Sequence, residues 1–327
     1  MDKCTFSTTI KVDPETGWEI VYLTCQDENP LLDKKVGIIP KAGSNLFSYQ
    51  FGDTELLWQA PSVRAVQKRE SGIPILYPTP NRVRNSEFSF RGEKFRFTPN
   101  WKEHFLHGLV HGTPWEFEQP SADANSARLK TYLDFNQENE LFALWPFLHR
   151  ISMEYELDRQ GVKITFMVEN KDERPIPFGF ALHPFFNYLG EKSQTFITVP
   201  AKAHMQAEGL LPTGVLQKLE GQDFDLNTPR PLSTLYLDDV YWGAEPENPA
   251  FYEARDARVR LILEASKEFT HVVVYTEQPD FFCIENQTCS TDAHNLYARG
   301  LEKEAHLLIC EPGEKMSMWI KYVPERM

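Results

Sequence analysis

A chain of 327 residues with 41% hydrophobic and 13% aromatic content can bury a large core, and an all-β chain of this size can remain one domain, so one unit is expected over 1–327. Its 47 acidic against 34 basic residues give a formal charge of -13 without any dense Lys/Arg cluster, which repels polyanions and argues against a nucleic-acid partner. The longest apolar runs, such as 141–148 (LFALWPFL), are too short to span a bilayer, the start MDKCTFSTTIK has no apolar signal core, and five cysteines without a Cys-x-x-Cys pair fit free thiols; a cytoplasmic protein that avoids membranes is expected.

In chain order, a first strand is readable at 18–24. Residues 61–70 can form a short helix, limited by Pro61. A hairpin follows at 87–98 around RGEK, then a strand at 127–135 and a second short helical stretch at 141–149, limited by Pro146. Period-two alternation is clearest at 150–158 (RISMEYELD), where Ile151, Met153, Tyr155 and Leu157 point one way and Ser152, Glu154, Glu156 and Asp158 the other. After the turn DRQG the pattern resumes at 162–168, with Val162, Ile164, Phe166 and Val168 inward, which makes a hairpin. Strands at 258–265, 271–276 and 315–322 complete the set. Many short strands, polar turns and 23 prolines predict a large antiparallel sandwich with few short helices, without internal repeats or a linker.

Five segments break the alternation: 72–84, 104–116, 181–190, 235–243 and 281–296. Each mixes ionisable or amide groups with aromatics and Gly or Pro, the composition of loops or strand ends that display binding groups. His104, His107 and His111 are spaced i, i+3, i+7, which on a helix would suit zinc; Gly108, Gly112 and Pro114 argue against that helix, and no metal is expected. There is no Gly-x-Ser-x-Gly turn, and the apolar neighbours of Cys283 suggest a buried, inert thiol; Cys289 stays open as a nucleophile. Glu285 in FFCIENQT lies in an apolar stretch that would raise its pKa, and His183 stands at the end of an apolar strand. A carboxylate with an imidazole suits general base and acid work near neutral pH.

The blocks PTPNRV with Asn81 and Arg82, His107-Gly108 followed by TPWE, HPFFN at 183–187, Asp238 in LDDVY, CIENQT at 283–288, DAHNL and EPGEKMSMWIKY together resemble the ordered signature of the aldose 1-epimerase, or galactose mutarotase-like, family from about residue 72 onward. The resemblance implies an all-β antiparallel supersandwich with an open cleft and a cofactor-free mutarotase that interconverts hexose anomers. It matches His183 to the general acid and Glu285 to the general base. Asn81, Arg82, His107 and Asp238 match substrate-binding positions. Such a protein would be a monomer or homodimer whose partner is a small sugar. Relative to many members, ALHPFFNYLG lacks a polar lead-in, and His111 stands where arginine is frequent, so sugar preference stays open.

Three alternatives carry their own residues. A hexose-6-phosphate mutarotase would use basic groups such as Arg64, Lys68, Arg84 or Arg91; a non-catalytic carbohydrate-binding protein would keep the cleft alone; a glycosidase would pair Glu285 with Asp238. Trp115, Phe185, Tyr188, Tyr241 and Trp242 are candidate stacking rings for a pyranose.

Overall fold

The alternation at 150–158 becomes the strand His149–Asp158, paired in antiparallel register with Val162–Asn170. Ile151 faces Val168, Met153 faces Phe166, Tyr155 faces Ile164 and Leu157 faces Val162, so two inward faces meet across one ladder and all eight side chains are buried. The DRQG turn is closed by Asp158, whose Oδ1 accepts from the amides of Gln160 and Gly161 at 2.8 and 2.9 Å. Ser152, expected on the wet face, is buried as well. The computed structural model describes residues 4–68 and 70–327.

This hairpin lies in a ten-stranded sheet that runs through Ser126–Phe135, His149–Asp158, Val162–Asn170, Lys315–Arg326, Val259–Ala265, Ala250–Ala254 and Thr195–Thr198. An eight-stranded sheet contains Leu211–Gln217, Ala203–Glu208, Asp238–Trp242, His271–Tyr275, Phe281–Gln287, Ala181–Leu182 and Ile75–Leu76. Aromatic rings join the two: Phe282 meets Tyr252 edge-on at 5.1 Å, Phe186 touches Tyr252 and Tyr322, and Phe166 stacks on Phe180 at 4.0 Å. That layer of rings is the sandwich core. A third, five-stranded sheet from Thr5–Val12 to Thr54–Glu55 shares the same core through Val21, Leu23, Val36 and Phe51; Tyr49 Oη donates to the Tyr322 carbonyl, and Ser44, just before its fourth strand, has Oγ 2.7 Å from Thr131 Oγ1.

The structure agrees with the all-β expectation, and its ladders are antiparallel. The predicted hairpin at 87–98 is Glu87–Phe90 with Glu93–Arg96, turned by Arg91 and Gly92, both at positive φ. Short helices differ from expectation. The stretch 61–70 holds only a 3-10 turn at Arg64–Lys68, residue 69 lying outside the described residues. The stretch 141–149 holds a 3-10 turn at Glu140–Ala143, where Asn139 caps the amide of Leu141 and Pro146 prevents continuation. Among the described residues the α-helices are Ala293–Ala298 and Glu302–Ala305, which lie in and just after a segment read as loop, because so short a helix shows little periodicity. No helix among the described residues is long and apolar enough to cross a membrane.

Candidate active site

The non-alternating segments converge on one cleft of about 820 Å³. Its floor is the strand Phe281–Gln287, which sends Phe282 and Ile284 into the core while Glu285 faces the cleft. The neighbouring strand pairs Val273 with Glu285 and presents Val273 and Tyr275 to the same space. On the other side Ala181 is paired with Gln287 and with Leu76, so the chain leaves the sheet two residues later at His183, whose amide donates to the Pro74 carbonyl at 3.1 Å.

That placement brings His183 Nε2 to 3.2 Å from Glu285 Oε1. Gln287, two positions on and therefore on the same face, donates from Nε2 to Glu285 Oε2 at 3.0 Å. Glu285 is only 2% exposed, and burial pushes its carboxyl well above the usual range; the Asp238 charge adds to the rise, while Gln287 and Arg82 oppose it. Phe185 stacks on the His183 ring at 4.6 Å, and the His107 ring meets it edge-on at 5.1 Å, so the imidazole is held between two rings.

A second cluster faces this pair. Arg82 Nη2 donates to Asp238 Oδ2 at 3.0 Å, Nη1 donates to Asn81 Oδ1 at 3.0 Å, and the guanidinium lies 4.6 Å over the Trp101 ring. The short ribbon of Arg82–Val83 with Phe105–Leu106 sets Arg82 beside His107, whose amide donates to the Asn81 carbonyl at 2.9 Å. Gly108 makes the next turn possible: at φ +70 it packs against Tyr77, and a Cβ there would lie 2.3 Å from the Tyr77 carbonyl oxygen. The arrangement combines a buried carboxyl group in contact with a partly buried imidazole, a fixed cation and hydrogen-bonding groups in a cleft open to solvent. Such a site can move a proton on one side of a small polyhydroxylated molecule while gripping its hydroxyls.

The family model for aldose 1-epimerase matches residues 36–323. The chain belongs to the aldose 1-epimerase family. The uncharacterized protein YphB of Escherichia coli K12 is 24% identical over 297 residues, covering 84% of this chain and 95% of that one. Galactose mutarotase of Mus musculus is 24% identical over 204 residues, covering 61% of this chain and 57% of that enzyme. In structure, a galactose mutarotase-like protein of Clostridium acetobutylicum superimposes with a TM-score of 0.87 at 19% identity, over 98% of this chain and 99% of that one. Galactose 1-epimerase of Lactobacillus acidophilus NCFM gives 0.79 at 16% identity, over 98% and 99%. These two likenesses concern the fold.

In this aldose 1-epimerase family member all six residues singled out from sequence line the cleft: Asn81, Arg82, His107, His183, Asp238 and Glu285. The spaced histidines part company, since His107 enters the cleft whereas buried His104 accepts through Nδ1 from the amide of Asn85. Of the five proposed stacking rings, Phe185 alone lines it. Trp115 and Tyr241 are buried in the core, Tyr188 donates to the carbonyls of Gln278 and Phe281, and Trp242 donates to the Lys303 carbonyl. Trp58, Trp101, Tyr275 and Phe281 supply the aromatic wall instead; Phe281 opens the segment 281–296, whereas the other three are brought there by topology from outside the five segments. Gln287 could have been found, because period-two spacing from Glu285 marks it.

Proposed function

We propose that this protein interconverts the α and β anomers of a neutral hexose, with Glu285 as general base and His183 as general acid. The contact of 3.2 Å between the two side chains carries the reading. A hemiacetal presents its anomeric hydroxyl and its ring oxygen on the same carbon, so the groups that serve them must be neighbours in one pocket. One proton on the pair suffices, provided it resides on the imidazole when sugar arrives.

Glu285 takes the proton of the C1 hydroxyl, the electrons form the carbonyl, the bond from C1 to the ring oxygen breaks, and that oxygen takes the proton of His183 Nε2. Rotation about C1–C2 turns the aldehyde. In closure His183 recovers its proton from the attacking hydroxyl and Glu285 returns its own to the carbonyl oxygen, so both groups end as they began. Each proton transfer of this kind contributes about 10²–10⁴-fold. Arg82, fixed by Asp238 and Asn81, and His107 would hold hydroxyls, while Trp58 or Trp101 would cover the apolar face of the pyranose.

Charge favours a neutral sugar over a 6-phosphate. The ionisable chains of the cleft, besides its two histidines, are Lys68 and Arg82 against Glu70, Asp238, Glu277 and Glu285, and Arg82 already answers Asp238. Of the other basic candidates, Arg64 lies over Trp18, Arg84 pairs with Asp292 and Arg91 with Glu311. The glycosidase reading is weaker because Asp238 is engaged by Arg82 and the immediate partner of Glu285 is a histidine. The test is exchange NMR with galactose, glucose and their 6-phosphates. Accelerated exchange for a neutral sugar that Glu285→Gln abolishes supports the reading; sugar binding without exchange makes the protein a carbohydrate-binding module.

A further inference from the structure

One side chain beneath the proposed acid/base pair has no part in that chemistry. Cys283 lies on the cleft-facing side of the strand with Glu285, two residues away, and is fully buried. A ring nitrogen of His183, the sulfur of Cys283 and a carboxylate oxygen of Glu285 all lie within 4.8 Å of one another. Among the described residues this is the one group of three or more histidine, cysteine or acidic side chains gathered closely enough to hold a cation.

We propose that this cluster is a zinc-binding site, and that Zn²⁺ bound there excludes sugar. The donor set of one nitrogen, one sulfur and one oxygen suits a borderline-soft ion and not calcium or magnesium. A tetrahedral Zn²⁺ with Zn–N and Zn–O near 2.0 Å and Zn–S near 2.3 Å keeps its donors roughly 3.3–3.6 Å apart. His183 and Glu285, at 3.2 Å, already stand at that spacing. A movement of about 1 Å by the sulfur or its partners closes the third face. His183 and Glu285 both line the cleft, which gives the ion an entry path and leaves the fourth position open toward solvent. On binding, the Cys283 thiol gives its proton to solvent and the sulfur donates to the metal, so binding tightens as pH rises. Zinc would then occupy the lone pairs that the mutarotase reading assigns to proton transfer. The inhibitory consequence rests on that reading; the binding itself does not.

The experiment titrates the metal-free full-length protein with Co²⁺ as a spectroscopic probe, and with Zn²⁺ against a colorimetric chelator. One Co²⁺ per chain with a sulfur-to-metal charge-transfer band is expected. Cys283→Ser should abolish the band and weaken Zn²⁺ at least about tenfold, the loss that even outer-sphere changes produce. Cys4→Ser, at the thiol that donates to Asp27, should leave both unchanged. Should Cys283→Ser fail to fold, Cys283→Ala and His183→Asn supply the same readout. Absence of the band, or its survival in the Cys283 variants, overturns the site. Anomer exchange followed in parallel without metal reports on the mutarotase reading separately. Persistence of the band in saturating sugar that the protein turns over overturns the exclusion.

Discussion

Gln287 and Glu285 stand two residues apart on one strand, and the amide of the first donates to Oε2 of the second at 3.0 Å, leaving Oε1 directed at His183. The carboxyl group therefore has a fixed orientation without any ligand. Gln287 is fully buried and does not line the cleft, so under the proposed mechanism it would act through Glu285 as a positioning residue. Gln287→Met keeps the volume and removes the donor. The expected result is a fall in kcat of about 10–100-fold, the worth of a hydrogen bond to a charged group, with KM nearly unchanged. A rise in KM with kcat intact would show that Gln287 shapes sugar binding instead.

Arg82 makes the complementary case. Its planar fork spans Asn81 and Asp238 while its face covers Trp101, a geometry that lysine cannot reproduce. Arg82→Lys should raise KM about tenfold, with a smaller effect on kcat, because the grip on hydroxyls that the mutarotase reading assigns to Arg82 would be present in ground state and transition state alike. Exchange NMR over a range of sugar concentrations separates the two parameters, and an unchanged KM would remove Arg82 from the binding set.

The sheet chemistry was readable in the sequence because period-two alternation and burial coincide, as at Ile151, Met153, Tyr155 and Leu157. The residues that line the cleft were readable through a family signature, not through spacing: Arg82 and Asp238 are 156 positions apart, and nothing local says that they touch. Trp101 and Trp58 stayed hidden for the same reason. Trp115 and Tyr241 misled, since an aromatic residue in a non-alternating segment reads the same whether the fold turns it outward or into the core. Very short strands such as Ala181–Leu182 escape a periodicity argument altogether, yet this one delivers His183.

Three buried histidines set the acid limit of the fold. Burial pushes His149 and His294 down to about 4 and His271 down to about 3. His149 shows why the neutral form is kept: Nδ1 donates to the Phe147 carbonyl at 2.8 Å, and Nε2 accepts from Tyr77 Oη at 2.8 Å. In the unfolded chain each imidazole titrates near about 6.5. The unfolded state therefore binds more protons as pH falls below that value, and stability present above it is lost progressively down to about 4 for His149 and His294 and to about 3 for His271. Urea midpoints should fall steeply between pH 7 and 4.5, and His149→Gln should flatten the slope even though it lowers stability at neutral pH. A midpoint constant across that range would contradict the argument.

Gly108 links the backbone of the cleft to the core. Its φ of +70 is already costly for a residue with a side chain, and a methyl group would stand 2.3 Å from the Tyr77 carbonyl oxygen, which is fixed in the core. Gly108→Ala must therefore push apart the Tyr77–Gly108 bridge, and the neighbour that moves with it is His107. Because His107 meets the His183 ring at 5.1 Å, the strain reaches the His183–Glu285 pair. The expected outcome is a loss of roughly 2 kcal/mol or more in unfolding free energy. Anomer exchange should fall together with it, even at temperatures where the variant remains folded. Circular dichroism melts paired with exchange NMR distinguish the two effects, and a variant that loses stability but keeps full activity would show that the turn supports the fold without positioning His107.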